Sequence, residues 1–390
     1  MAHRFGPHFP RLFVAALLEG VAFTLLVHLP GYFTELGASE GMIGILYASA
    51  AVVALISRPG LGRILDLTRR RSVILVAAAG EVLVILGLMT TQAWNPYLWV
   101  IFLAQRLLNV AVFTTFLVYA ADLIPVERRT QGLAIFGLSG LLPIAAGGYL
   151  GDVVIATFGF DGLFVASAAA LLSSWLIVWT LPVLPIRGIQ PRRSFWSALA
   201  EPSLLPLWLL TLMFSIGLES LFTFTRTYVD ATGIGTTGLF FGVYGLSAAA
   251  TRIFGGSRYD RLSHRILAVA AVTLFGVGLG TMASADSVWA LAVAGLLSGA
   301  AHGAVFPVLS SQVVNRARIS ERGSAMATFT SVFDISGLVG TPVVGLLIDR
   351  WGYQGAFSTA GVVVIVGAVA YGLWDRRLPY SAQLAEELSQ

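Results

Sequence analysis

Long apolar runs separated by short polar breaks dominate the chain. Runs near 12–35, 41–61, 72–91, 97–121, 130–155, 161–183, 204–229, 237–255, 266–284, 288–314, 323–347 and 355–374 each reach the roughly 20 residues that a helix needs to cross a bilayer. The pattern predicts an all-α membrane protein with twelve transmembrane helices. Connections are a few residues long except near 184–203, so no soluble domain fits between the spans. The first run follows Arg4 and Arg11 as a signal peptide would, but it is too long, holds Glu19 and lacks a small-residue cleavage site, so it reads as the first span.

Composition agrees with this pattern. Charged residues make up 11% of the 390 residues, the hydrophobic share is 57%, and mean hydropathy is +0.83. All 24 basic residues are arginine, and with both termini placed in the cytoplasm nearly all of them fall in cytoplasmic ends and loops; Arg226 and Arg350 fall outside and Arg106 within a span. Basic character then reflects topology and attraction to anionic lipid, not nucleic-acid binding. Cysteine is absent, which removes disulfides and thiolate metal sites, and no metal-ligand cluster is visible.

The chain repeats itself. "GRILDLTRRR" from Gly62 has a relative, "GSRYDRLSHR", from Gly256. Arg58, Gly62 and Asp66 align with Arg252, Gly256 and Asp260 at a constant offset of 194. Asn109, Val112 and Phe113 align with His302, Val305 and Phe306 at 193, as does "FDGLF" from Phe160 with "YQGAF" from Tyr353. This divides the chain into a six-helix half over 1–183, a cytoplasmic linker over 184–203 whose "SFWSALAE" suits the membrane surface, a second half over 204–375 and a tail over 376–390.

Two parallel six-helix halves, each with a basic Gly-Asp-Arg patch between its second and third helices, resemble the major facilitator superfamily of secondary transporters. The strongest element is the match to that family's G-x-x-x-D-x-x-x-R-R signature at Gly62, Asp66, Arg70 and Arg71, although Leu67 stands where an arginine is usual and Arg69 where a glycine is. The resemblance implies a conformational latch: Asp66 facing the start of the eleventh helix near Gly323, Arg70 meeting Asp122 at the inner end of the fourth, and Gly256, Asp260 and Arg261 as the second copy.

Ionisable groups at bilayer depth are costly, so each is a functional candidate. Glu19, Glu81, Arg106, Glu219, His302 and Asp334 lie within spans. The resemblance implies that helices 1, 4, 7 and 10 line the cavity, which places Glu19, Arg106, Glu219 and His302 there, with Phe23, Asn109 and Thr223 beside them. Arg106 resembles the fourth-helix arginine of proton-coupled members, with Val110 where a glycine is usual. Glu19 has Phe23 and Leu26 at i+4 and i+7, company that favours a protonated acid, whereas Arg226 on the stripe of Glu219 and Thr223 would favour a carboxylate. Glu19 is therefore the first candidate for proton coupling, with Glu219 and Arg106 next.

Glu81 and Asp334 read as interhelical or coupling groups, Glu81 either as a partner for Arg106 or as a stabiliser of a helix contact. His28 reads as a group without a role near the outer mouth. Gly140, Pro143, Gly147, Gly340 and Pro342, in "GLSGLLPIAAGG" and "SGLVGTPVVGLL", permit close helix contact and bending. The first of these loosely resembles the antiporter motif of exporters.

The expected function is proton-coupled export of a small organic molecule by alternating access, from a monomer in a bacterial inner membrane, without cofactor or metal. A symporter or uniporter importing a sugar, organic acid or peptide-like nutrient is the alternative. A membrane-embedded enzyme is remote, because HExxH and nucleophile-elbow patterns are absent. The Walker pattern is absent too, which leaves an ion gradient as the energy source.

Overall fold

The computed structural model describes residues 6–125, 128–185, 199–259, 263–317 and 322–377, and all of its regular structure is helical. The helices are α1 (Phe9–Leu25), α2 (Leu29–Glu35), α3 (Glu40–Leu67), α4 (Arg70–Gly87), α5 (Pro96–Leu123), α6 (Arg129–Phe136), α7 (Leu138–Trp179), α8 (Leu205–Thr232), α9 (Thr237–Tyr259), α10 (His264–Ala283), α11 (Val288–Arg316) and α12 (Arg322–Asp375). A 3-10 turn over Leu26–His28 joins α1 to α2, so the first apolar run is one rod from Phe9 to Glu35. Among the described residues, nine helices are long and apolar enough to cross a membrane. Most of the linker, the tail beyond 377, and both Asp260 and Arg261 lie outside the described residues.

Helix starts follow local chemistry. Proline occupies the first turn of α1, α2, α5 and α8, where its missing N–H costs nothing. Ser39, Asn95 and Ser287 cap α3, α5 and α11 by accepting from Met42, Leu98 and Ala290 amides at 3.3, 3.1 and 3.3 Å. The two longest helices are not straight. Gly159 in α7 has φ 67° and Gly352 in α12 has φ 69°, a left-handed conformation that residues with a Cβ rarely adopt. These two glycines stand 193 residues apart, the offset of the flanking repeats, so each half turns its chain at the same place.

Within the first half α1 lies along α7, and α4 against α5 and α7; within the second, α8 and α10 lie against α12, and α11 against α9 and α10. Two seams join the halves, α3 along α12 and α7 along α9. Glycine lets the backbones approach there: a Cβ on Gly44 would meet the Thr341 carbonyl and Pro342, and one on Gly245 would meet the Ala145 backbone. The reading of small residues as contact points fits Gly147, which faces Thr24, and Gly340, which faces Ile216; Gly140 has no close neighbour and lines the central cavity instead. Large apolar side chains point outward, with Val76, Ile56 and Phe254 all more than 70% exposed, as a surface facing lipid requires. Trp179 and Trp289 stand exposed near helix ends and Trp351 beside the Gly352 bend, places where indole rings favour the membrane interface.

Candidate functional site

Between the halves lies a cavity of about 430 Å³. Its walls come from α1, the 3-10 turn, α2, α3, α5, α7, α8, α11 and α12, and its polar lining includes Glu19, Arg58, Gln105, Arg106, Asn109, Glu219, Thr223, His302 and Asp334. Phe23, Phe113, Phe222 and Phe333 supply much of the rest. The structure thus brings together Glu19, Phe23, Arg106, Asn109, Glu219, Thr223 and His302, the cavity residues expected from sequence.

Arg106 is the centre of this arrangement. Its Cζ lies 5.6, 5.2 and 5.5 Å from the ring centroids of Phe23, Tyr47 and Phe102, a cation held by three aromatic rings. Among the described residues it makes no ion pair. It does stand close enough to Glu81 and Glu219 to act on both electrostatically. Of the two expectations for Glu81, the described residues show no ion pair with Arg106 but do show a helix contact: Gln105 Nε2 donates to Glu81 Oε1 at 2.8 Å. One turn along the same face, Asn109 Nδ2 donates to Glu19 Oε1 at 3.4 Å. An amide from α5 supplies the polar company that α1 does not offer Glu19.

Arg226 corrects another expectation. The stripe that begins at Glu219 reaches it, but its guanidinium is engaged elsewhere, with Asp230 at 2.7 Å and Asp152 at 3.4 Å. The cation acting on Glu219 is Arg106. Asp334 is bound by Arg58 across the α3–α12 seam, through Nε and, at 3.1 Å, through Nη2 to Oδ1. His302 Nδ1 hydrogen-bonds the Tyr244 hydroxyl at 2.6 Å. Sequence reasoning missed Tyr47, Gln105, Tyr244 and the role of Arg58. Arg58 carried a signal, since it recurs as Arg252, and so did Tyr47, which recurs 197 residues on as Tyr244, while Gln105 is uncharged and sits outside the recognised motifs.

At the end of α3 and start of α4, Arg70 Nε lies 3.2 Å from Asp122 Oδ2, both side chains buried. Arg71 donates to the Leu181 carbonyl at 3.1 Å and stands over the Trp179 ring at 5.5 Å. Gly62 and Asp66 occupy the last two turns of α3, Asp66 partly buried, and Gly256 lies in the last turn of α9. Gly62 and Asp66 each have partners within the structure.

The far end of the bundle, where α3 and α9 begin, carries a second set of contacts across the halves. Asp349 accepts from the Ser39 hydroxyl at 3.0 Å and from the Glu40 and Gly41 amides at 3.1 and 2.9 Å. Tyr353 donates to Glu40 at 2.5 Å. Asp152 accepts from the Gly238 amide at 2.5 Å and meets Arg226, whose Nη1 is 3.4 Å from His28 Nδ1. His28 is fully buried and its Nε2 hydrogen-bonds the Gly148 carbonyl at 3.1 Å, so the residue expected to be idle belongs to this closure. Asp152 to Asp349 and Gly41 to Gly238 are both steps of 197 residues. The caps are reciprocal: each half's acid satisfies the start of a helix in the other half.

The family model described as Major Facilitator Superfamily matches residues 12–257 and 207–389. Curated relatives include the Multidrug resistance protein MdtG of Enterobacter lignolyticus, 24% identical over 97% of this chain and 94% of its own length. The MdtG of Yersinia enterocolitica is 25% identical over 95% and 93%. Among solved structures, a POT family transporter in complex with a thioalcohol conjugated peptide has TM-score 0.80 at 14% identity, covering 95% of this chain and 96% of its own. The nucleoside transporter NupG has TM-score 0.73 at 15% identity, covering 94% and 98%.

Proposed function

The chain belongs to the major facilitator superfamily, and from that premise we propose that it exports a small organic molecule in exchange for protons, with Glu19, Glu219 and Arg106 as the coupling group. It is a transporter, not an enzyme, and a multi-pass protein of a bacterial inner membrane. Twelve spans with both termini in the cytoplasm are part of the same reading. It is supported by the nine apolar helices, by the breaks at Gly159 and Gly352 that divide two of them, and by α9 as a further membrane-length helix. The same holds for two six-helix halves over 1–183 and 204–375 joined by the 184–203 linker.

The observation that carries the reading is Arg106, without an ion pair among the described residues, in a cavity shared with carboxyls from both halves. A guanidinium does not lose its proton, so it stays a fixed charge that a deprotonated acid, or an anionic group of a substrate, can approach. Protonation of Glu19 removes one such competitor. Carboxyls on α1 and α8 sense the two halves separately, which ties proton binding to their relative position. The direction of transport is inferred from the relatives named for multidrug resistance. Asp66, Arg70, Arg71 and Asp122 serve as the cytoplasmic latch.

Inverted membrane vesicles test this directly. With an acid interior established by respiration and reported by an acridine dye, addition of a true substrate should restore dye fluorescence, because each substrate entering expels protons. Vesicles carrying Arg106→Ala should give no recovery. Compounds that enter wild-type vesicles without disturbing the gradient would contradict proton exchange.

A further inference from the structure

Glu81 is the buried acid that the coupling group above leaves unused. It lies on α4, 2% exposed, one layer behind the cavity wall formed by Gln105. One of its oxygens takes the Gln105 amide; the other, Oε2, is buried with no partner at hydrogen-bond geometry, and the Asn109 amide stands near enough to act on the same carboxyl. A carboxyl kept only to join two helices would be expected to use both oxygens, since unsatisfied buried polar atoms are costly.

We propose, resting on the proton-coupled reading, that Glu81 is a second proton-binding residue of the transport site, joined to Glu19 through the side-by-side amides of Gln105 and Asn109. Those two residues are i and i+4 on α5, so their side chains share a face. One donates to Glu81 and the other to Glu19. The amides carry no proton themselves. Gln105 stabilises the carboxylate of Glu81 and Asn109 that of Glu19, with Asn109 near enough to act on Glu81 too, while protons leave and arrive through the cavity.

Charge balance gives the proposal its content. The cavity region holds Arg58 and Arg106 against Glu19, Glu81, Glu219 and Asp334. Arg58 is committed to Asp334, which leaves Arg106 with three acids. One cation can balance one carboxylate, and carboxylates buried without a cation are strongly disfavoured. A neutral site therefore carries two protons with Glu81 in the set and one without it. Glu81 faces Glu19 from α1 and Arg106 from α5, and α7, which also packs against α4, contributes no charge to it: its Asp152 is held by Arg226 and its Asp161 lies past the Gly159 bend.

Infrared absorption of protonated carboxyls, recorded on the full-length protein in lipid as pH is varied, reads these groups without any substrate. The wild type should show coupled carbonyl components that titrate. Glu81→Gln should remove one and weaken proton binding at Glu19 about tenfold, because a neighbouring like charge is gone. A folded Glu81→Gln protein whose titrating signal matches wild type overturns the proposal. Should that variant fail to fold, Asn109→Leu keeps both acids and breaks the link, so the Glu19 and Glu81 midpoints should change their separation; unchanged midpoints overturn the proposal. Glu19→Gln separates the two levels of the account. If that variant leaves the titrating signal intact, the coupling role of Glu19 falls, and if it removes one component while Glu81→Gln removes none, only the role of Glu81 falls.

Discussion

Truncating Arg106 to alanine is expected to abolish transport while leaving expression and folding close to wild type. The three rings around its guanidinium provide packing that survives its removal, whereas among the described residues no other unpaired cation lines the cavity. Arg106→Lys should also lose at least tenfold in transport rate, because a point charge on a flexible stem does not reproduce a planar ion stacked on aromatic faces. Rates of gradient-driven uptake in inverted vesicles check both, and near-normal flux in the lysine variant would reduce the role to charge alone. At this scale the sequence was informative where cost is high: an arginine or glutamate inside an apolar run stands out, which is why Glu19, Arg106 and Glu219 were found. Tyr47, Gln105 and Tyr244 were not, because a hydroxyl or amide in a span is inexpensive enough to occur without function. Partners were harder than positions. Arg226 lies on the Glu219 stripe, yet its charge is held by Asp152 and Asp230, and one-dimensional spacing carries no information about those cross-helix choices.

Helix ends carry the next set of predictions. Asp349 accepts three hydrogen bonds at the start of α3, and Asp152 does the matching work at the start of α9. Asp349→Asn keeps the shape and removes the charge that complements the helix dipole, a loss of roughly 0.3–1 kcal/mol for an exposed acid at a helix start. A change of about 1.4 kcal/mol shifts a two-state population tenfold, so the far end should open more often. The chain has no cysteine, so spin labels at Glu35→Cys and Ala231→Cys, exposed on the two halves at that end, report the distance cleanly. The distribution should lengthen in Asp349→Asn; an unchanged distribution would make these caps local fold features only. The proposed cytoplasmic latch carries the matching expectation at the near end: Asp66→Asn should lengthen distances there, while the Arg70–Asp122 pair, internal to the first half, persists. The repeat made the near-end motif legible, but the far-end caps use lone aspartates at an offset of 197, whereas the inner motif repeats at 194 and the Gly159 and Gly352 bends at 193, so no single register finds them. The element breaks were legible for a physical reason: Gly159 and Gly352 sit between apolar runs at matching places, and only their backbone conformation shows that the helices on either side otherwise continue.

At the scale of the whole molecule, two seams of close backbone contact, α3 along α12 and α7 along α9, hold the halves on either side of a cavity with charged groups from both. Such an arrangement converts proton binding into a bias between conformations only if the two charge states of a coupling acid stabilise different positions of the halves. Glu19 is the acid on which that claim rests most heavily, and Glu19→Gln fixes it in its neutral form. The decisive measurement pairs two assays on this variant, using whichever compound gives the largest dye recovery in wild-type inverted vesicles: uptake driven by a proton gradient, and counterflow exchange with no gradient. Gradient-driven accumulation should collapse while exchange persists, since exchange requires the halves to move but no net proton release. Full gradient-driven accumulation in Glu19→Gln would contradict the account.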